Sequence, residues 1–187
     1  MRETNIKTSH FSFIAIKKLN ISREINQHGK LRLEGLIKES DIEPYRQMLL
    51  EGLWLHVTGE DEDGNSTTLF YGIVTDFTVG KIHHSCELKL TVMTGTHLMD
   101  LAPRLRTFQD SAMSYIDVMN VINASYHQPG VIGDDKAKEA IGEFFLQNNE
   151  TDWAFIKRLA SKCGSYITPG IEREGVIYYF GNRSELT

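Results

Sequence analysis

With 187 residues, of which 41% are hydrophobic, 24% charged and 10% aromatic, the chain has a globular composition that excludes disordered and fibrous classes. Its 20 Lys and Arg against 25 Asp and Glu give a formal net charge of -5, with no basic surplus of the kind a dedicated nucleic-acid binder carries. The segment Met1-Arg2-Glu3-Thr4-Asn5-Ile6-Lys7 lacks the apolar run of a signal peptide, and Cys86 and Cys163 are too few for a disulfide framework, so a soluble protein outside the Sec route is expected.

The first half reads as strands. His10–Ile16 and Leu31–Ile37 alternate polar and apolar residues, with Gln27-His28-Gly29-Lys30 as the hairpin connection between them. Ser40–Gly52 reads as a short helix, bracketed by capping residues, Pro44 and a terminal glycine, that plugs one end of a curled sheet. Leu53–Thr58 and Thr68–Val74 follow as strands around an acidic loop. Strand signals resume at Ile82, and Cys86, Leu88, Leu90 and Val92 share one face. Strands this short and numerous predict a small antiparallel barrel or sandwich, since closure removes exposed edges.

Near Pro103 the period changes. Met113, Ile116, Met119, Ile122 and Tyr126 recur at three or four residues behind Asp110 and Ser111, which predicts a capped helix ending by Pro129 and Gly130. A second helix runs through Trp153, Phe155, Ile156, Leu159, Ala160 and Cys163 to Gly164, with Lys157, Arg158 and Lys162 toward the negative end of its dipole. Val176–Phe180 reads as a final strand. The fold class is therefore α+β, with a β domain over 1–103 and an α+β domain over 104–187.

Catalytic and metal motifs do not emerge. The acidic stretch Asp61-Glu62-Asp63-Gly64-Asn65-Ser66 departs from the calcium-loop template at its sixth position, Ser66, and at its twelfth, Gly72, so a solvated hairpin loop is expected. Gly80-Lys81 lacks the remainder of a phosphate loop. His83 and His84, read as neighbours on a strand, point to opposite faces, which leaves only His84 and Cys86 on one face and no metal site assigned. There is no nucleophile elbow and no zinc-protease helix. No catalytic residue, metal or cofactor is assigned. Trp54, Trp153 and Tyr178-Tyr179-Phe180 keep open a second class, a small β-barrel module binding cell-wall glycan.

One stretch is distinctive. Gln147-Asn148-Asn149-Glu150-Thr151-Asp152-Trp153-Ala154-Phe155-Ile156-Lys157-Arg158-Leu159-Ala160-Ser161-Lys162-Cys163-Gly164 resembles the Q-x-x-E-[ST]-D-x-x-F-[LI]-x-R-L-x-x-x-x-G signature of the VgrG and phage late-control D family, the baseplate hubs of contractile injection machines. Arg106-Thr107-Phe108-Gln109, Tyr71-Gly72-Ile73-Val74-Thr75 and Tyr178-Tyr179-Phe180 resemble flanking segments of that family in matching order. The signature positions are Gln147, Glu150, Thr151, Asp152, Phe155, Arg158, Leu159 and Gly164, to which a structural role is assigned; Glu150, Asp152 and Arg158 are expected to form a local capping or ion-pair network.

The resemblance implies a tail-tube-like barrel followed by a small α+β hub domain, with no enzymatic activity. It implies a homotrimer that joins a hexameric tail tube to a trimeric spike, in a phage tail, tail-like bacteriocin or type VI system. The implied partners are the tail tube protein, a spike protein or C-terminal spike domain, and other baseplate proteins, without direct nucleic-acid recognition or membrane insertion. Such a protein is made in the bacterial cytoplasm and built into a virion or secreted particle. In that family a second barrel follows, which this chain, ending at Ser184-Glu185-Leu186-Thr187, has no room for; a fragment of a longer hub is the expectation.

Overall fold

The structure, a computed structural model, describes residues 5–181 apart from the Ile82 side chain. Positions 1–4 and the 184–187 terminus discussed above lie outside the described residues. The described chain divides into two compact units, one holding residues 5–22, 29–94 and 171–174, the other 23–28, 95–170 and 175–181. Beyond its 23–28 segment the second unit resumes at Gly95, and Met99 and Phe108 pack in its core with Phe155 and Trp153.

The first unit is a curled half-barrel sheet of six antiparallel strands. Strands β1 (Asn5–Thr8), β2 (Ala15–Ser22), β3 (Lys30–Leu36), β4 (Trp54–Glu60), β5 (Ser66–Ile82) and β6 (Ser85–Met93) run in the order β1-β4-β5-β6-β3-β2, with β1 and β2 at the edges. Period-two alternation sets its inside: Leu31 and Leu33, Leu55 and Val57, Phe70, and Leu88, Leu90 and Val92 are buried together. Cys86 packs against that cluster on the same face, as the alternation requires. Helix α1 (Ile42–Leu50) lays Tyr45 and Leu49 into this core. No side chain caps α1; a 3-10 turn at Glu39–Asp41 leads into it instead of the expected cap.

Two local readings change. His10–Ile16 is not a strand: β2 begins at Ala15, and Phe11 enters the core from a loop, edge-on to Tyr45 at 4.9 Å with the Ser12 N–H donating to the Tyr45 hydroxyl at 2.9 Å. The apparent alternation came from that loop packing, while β2 hides its own behind a bulge at Lys17, which puts two exposed lysines, Lys17 and Lys18, in succession. His83 and His84 form the tight turn between β5 and β6, His83 with φ 59°, so they lie on no strand face. Gly72 has a plain reason: a Cβ there would stand 2.2 Å from the Met93 carbonyl oxygen.

The second unit is α+β. A two-stranded ribbon pairs β7 (Pro103–Phe108) with β9 (Phe145–Thr151), and a three-stranded sheet orders β10 (Ile167–Pro169), β11 (Ile177–Phe180) and β8 (Gly130–Gly133), with β11 parallel to β8. Helices α2 (Tyr115–Asn123) and α3 (Asp152–Lys162) cover them. Helix α2 starts later than expected. Ser114, not Asp110 or Ser111, is its cap, closing a capping box with Asp117, and the helix ends at Asn123 well before Pro129. Helix α3 follows the signature as read: Thr151 caps it, its Oγ1 accepting from Ala154 N–H at 3.2 Å, and Gly164 leaves it at φ 65°.

Candidate functional site

The second unit concentrates its polar groups around the start of α3. Arg106 on β7 stands opposite Gln147 on β9, and both face inward. Arg106 Nη1 donates to Gln147 Oε1 at 3.0 Å and also to Asp152 Oδ1, while Gln147 Nε2 donates to Asp152 Oδ1 at 2.7 Å and to the Glu150 carbonyl at 3.1 Å. The Tyr126 hydroxyl, from beyond α2, donates to Asp152 Oδ2 at 2.6 Å. Asp152 and Gln147 are both 0% exposed. A carboxylate so buried is tolerable only when its charge is matched and its oxygens are satisfied. Here a guanidinium matches the charge, three side chains satisfy the oxygens, and the positive end of α3 adds to both. Burial, and then the Asp152 carboxylate it donates to, push the Tyr126 phenol far above its ordinary value.

Around this lock the remaining signature residues take distinct places. Glu150 pairs with Arg158, whose Nη2 also donates to the Leu146 carbonyl at 2.7 Å and whose guanidinium carbon sits 4.9 Å over the Phe155 ring centroid. Phe155 is buried and stacks on Phe108 at 5.6 Å, and Leu159 is buried beside it in the same core. The Gly164 carbonyl accepts from Lys136 Nζ at 2.9 Å.

Thr151, besides capping α3, donates to Asp100 Oδ1 at 2.5 Å. The other Asp100 oxygen lies 2.9 Å from His28 Nε2, His28 Nδ1 lies 2.9 Å from Thr96 Oγ1, and the imidazole rests 4.7 Å from the Trp153 ring. Burial holds the His28 imidazole below its ordinary pKa, against the opposing pull of Asp100. Burial would push the Asp100 carboxyl up, but the hydrogen bonds from Thr151 and His28 outweigh it and leave it below the usual carboxylate value.

The structure thus splits the expected Glu150, Asp152 and Arg158 network in two: Glu150 holds Arg158, and Asp152 holds Arg106. Sequence reasoning missed the partners Arg106, Tyr126, Asp100 and His28. A signal for one was present, since Arg106 opens the R-x-F-Q segment and Gln147 opens the signature, and those two positions pair across the ribbon.

The terminal aromatics proposed as a sugar platform are core. Tyr178 and Phe180 are 0% exposed and Trp153 is 1% exposed. Trp54 differs: it is half-buried on the face of β4 opposite Leu55 and Val57, 6.4 Å from Tyr71, on which His56 stacks at 4.8 Å. The acidic stretch is a β4–β5 hairpin loop in which Asp61 accepts from the Asp63 and Asn65 backbone, and the hydrogen bonds from Asn65 lower its pKa. Among the described residues, no group of three or more His, Cys, Asp and Glu side chains is placed to hold a metal ion, and no helix is long and apolar enough to cross a membrane.

Residues 22–185 match the model of the phage tail baseplate hub (GPD) family. The chain belongs to that family. No curated protein matches its sequence. Among solved structures, the hub chain is similar to the 43 kDa tail protein of prophage MuSo2 from Shewanella oneidensis, at TM-score 0.68 and 13% identity over 97% of this chain and 54% of that one. It is similar to the E. coli c3393 protein, described as a type VI secretion component resembling the T4 bacteriophage tail proteins gp27 and gp5, at TM-score 0.60 and 11% identity over 96% of this chain and 50% of that one. It also resembles a chain of the Francisella PdpA-VgrG complex, at TM-score 0.58 and 14% identity over 90% of this chain and 27% of that one. At these identities the likeness is one of fold, and the chain spans about half the length of the first two. The chain is a structural tail component of the hub family, VgrG-like in fold.

Proposed function

We propose that this chain is a non-enzymatic subunit of the baseplate hub that couples a six-fold tail tube to a three-fold spike. The match to the hub family over residues 22–185 carries the reading. The half-barrel sheet supports it, since a curled shell with unpaired edges suits stacking against rings of similar shells. In this reading the chain works as a homotrimer among tail tube, spike and other baseplate proteins, within a phage tail or secreted tail-like particle, and its first and second halves, 1–103 and 104–187, serve as tube-like and hub domains. Mixing the purified chain with preassembled tail tubes and imaging them by negative stain tests it. Decoration of tube ends alone is expected; bare ends, or decoration along the sides, would overturn it.

One observation favours a second reading, glycan binding: Trp54 lies on the outer face of β4 with Tyr71 and His56 beside it, and the Tyr71 hydroxyl donates to Glu174 at 3.2 Å. An indole face with polar neighbours suits a pyranose ring. Peptidoglycan pull-down that is lost in Trp54→Ala, with unchanged circular dichroism, would support it; equal recovery of both proteins would dismiss it.

A further inference from the structure

The β7–β9 ribbon has a second face. Its inner face carries Arg106, Phe108, Phe145 and Gln147; its outer face carries Leu105 and Leu146, which the register places diagonally on that face, Leu105 opposite Asn148 and, two rungs on, Thr107 opposite Leu146. Leu105 is 73% exposed, Leu146 is 39% exposed, and Phe144, at the entrance to β9, is 55% exposed. Leu146 and Phe144 continue into a groove of about 570 Å³ that Arg158 and Lys162 also line. The groove is charged in both signs: Lys162 pairs with Glu143 at 2.7 Å, both exposed, and Arg158 pairs with the half-buried Glu150 just beyond the lining. Among the described residues each strand of the ribbon has one strand partner only.

We infer that this outer face, centred on Leu105 and Leu146, is the surface through which copies of the chain associate around a common axis. A two-stranded ribbon is marginal alone in water and gains most from a covered apolar face. The charge pattern selects the occupant. A polyanion or an anionic lipid surface calls for a cationic surplus, whereas a surface that sets Lys162 and Arg158 beside Glu143 and Glu150 is complementary to itself. In a ring, one side of a patch meets the other side of the same patch on the next copy, so the cations of one copy meet the carboxylates of its neighbour while the leucines gather near the axis. This inference rests on the homo-oligomeric reading above and names the surface for it.

Sedimentation velocity on the full chain tests the inference, with Leu105→Asp/Leu146→Asp as the variant and Leu50→Asp, at a leucine 72% exposed on α1, as the control. Wild type and control are expected to form the same oligomer and the double variant to sediment as a monomer with unaltered circular dichroism; Leu105→Ser/Leu146→Ser repeats the test more gently. A second arm reverses the charge: Lys162→Glu is expected to weaken association at least tenfold and added Glu143→Lys to restore it. An oligomer that persists in both leucine variants overturns this surface and leaves the hub reading intact, and a monomeric wild type overturns it too. Failure of the hub reading shows elsewhere, as absence of the chain from tube ends.

Discussion

The two units use polar side chains in opposite ways. In the half-barrel, charge stays on the solvent face of the sheet, where the register sets Lys18, Glu34, Lys89 and Thr78 in a row across β2, β3, β6 and β5, and the inside is aliphatic and aromatic. In the second unit a carboxylate, a guanidinium, an amide and a phenol meet inside, around Asp152. The difference teaches which substitutions each unit tolerates. A patterned apolar core accepts swaps of similar volume. A buried ionic lock accepts few, because removing one member strands the others.

The largest break in that comparison is expected from Asp152→Ala, which leaves Arg106 facing the interior without its carboxylate. Chemical denaturation should show a loss of about 3–5 kcal/mol, against no measurable change in melting temperature for Lys17→Ala, whose partner Glu87 sits on the outer face of the half-barrel. A loss for Asp152→Ala no larger than that for Lys17→Ala would erase the contrast. Next is Gly72→Ala, which sharpens the account of the half-barrel: a methyl pressed on the Met93 carbonyl should cost about 1–3 kcal/mol, and a neutral result would contradict the close approach of β5 to β6. Ser114→Ala removes the α2 cap and should cost about 1 kcal/mol by the same measurement.

The smallest expected effect is a pH dependence. His28 has a folded pKa below its ordinary 6.5, so below that value the unfolded chain binds a proton that the folded chain resists. Stability is then fully present above pH 6.5 and falls as pH drops toward the folded value. Thermal melts from pH 7.5 to 5.5 should show this slope in the wild type and a flatter one in His28→Gln; identical slopes would remove His28 from the account. Asp100 acts in the same direction but below the ordinary carboxylate range, since its own pKa is lowered.

What was legible in the sequence follows the same division. Cys86, Leu88, Leu90 and Val92 announced β6 because every inward residue is apolar, and Trp153, Phe155, Ile156 and Leu159 announced α3 for the same reason at helical spacing. Strands β7 and β9 were silent because their inward positions include Arg106 and Gln147, which break a hydrophobic alternation; only their family motifs marked them. The Ser114 cap was readable, with an acid three residues on at Asp117, yet Asp110 and Ser111 precede Met113, taken as the first apolar residue of the helix, and drew the start forward. His28 carried no signal, since a polar residue beside a glycine reads as a turn and nothing local shows that Trp153 lies 4.7 Å from its ring.

The most direct test of the central claim is electron cryomicroscopy of assembled tail particles that carry this chain. The account predicts density for the six-stranded half-barrel and the Asp152-centred unit at the junction of tube and spike, repeated three times about the tail axis. Density for the chain at any other site of the particle, or in any other symmetry, would contradict it.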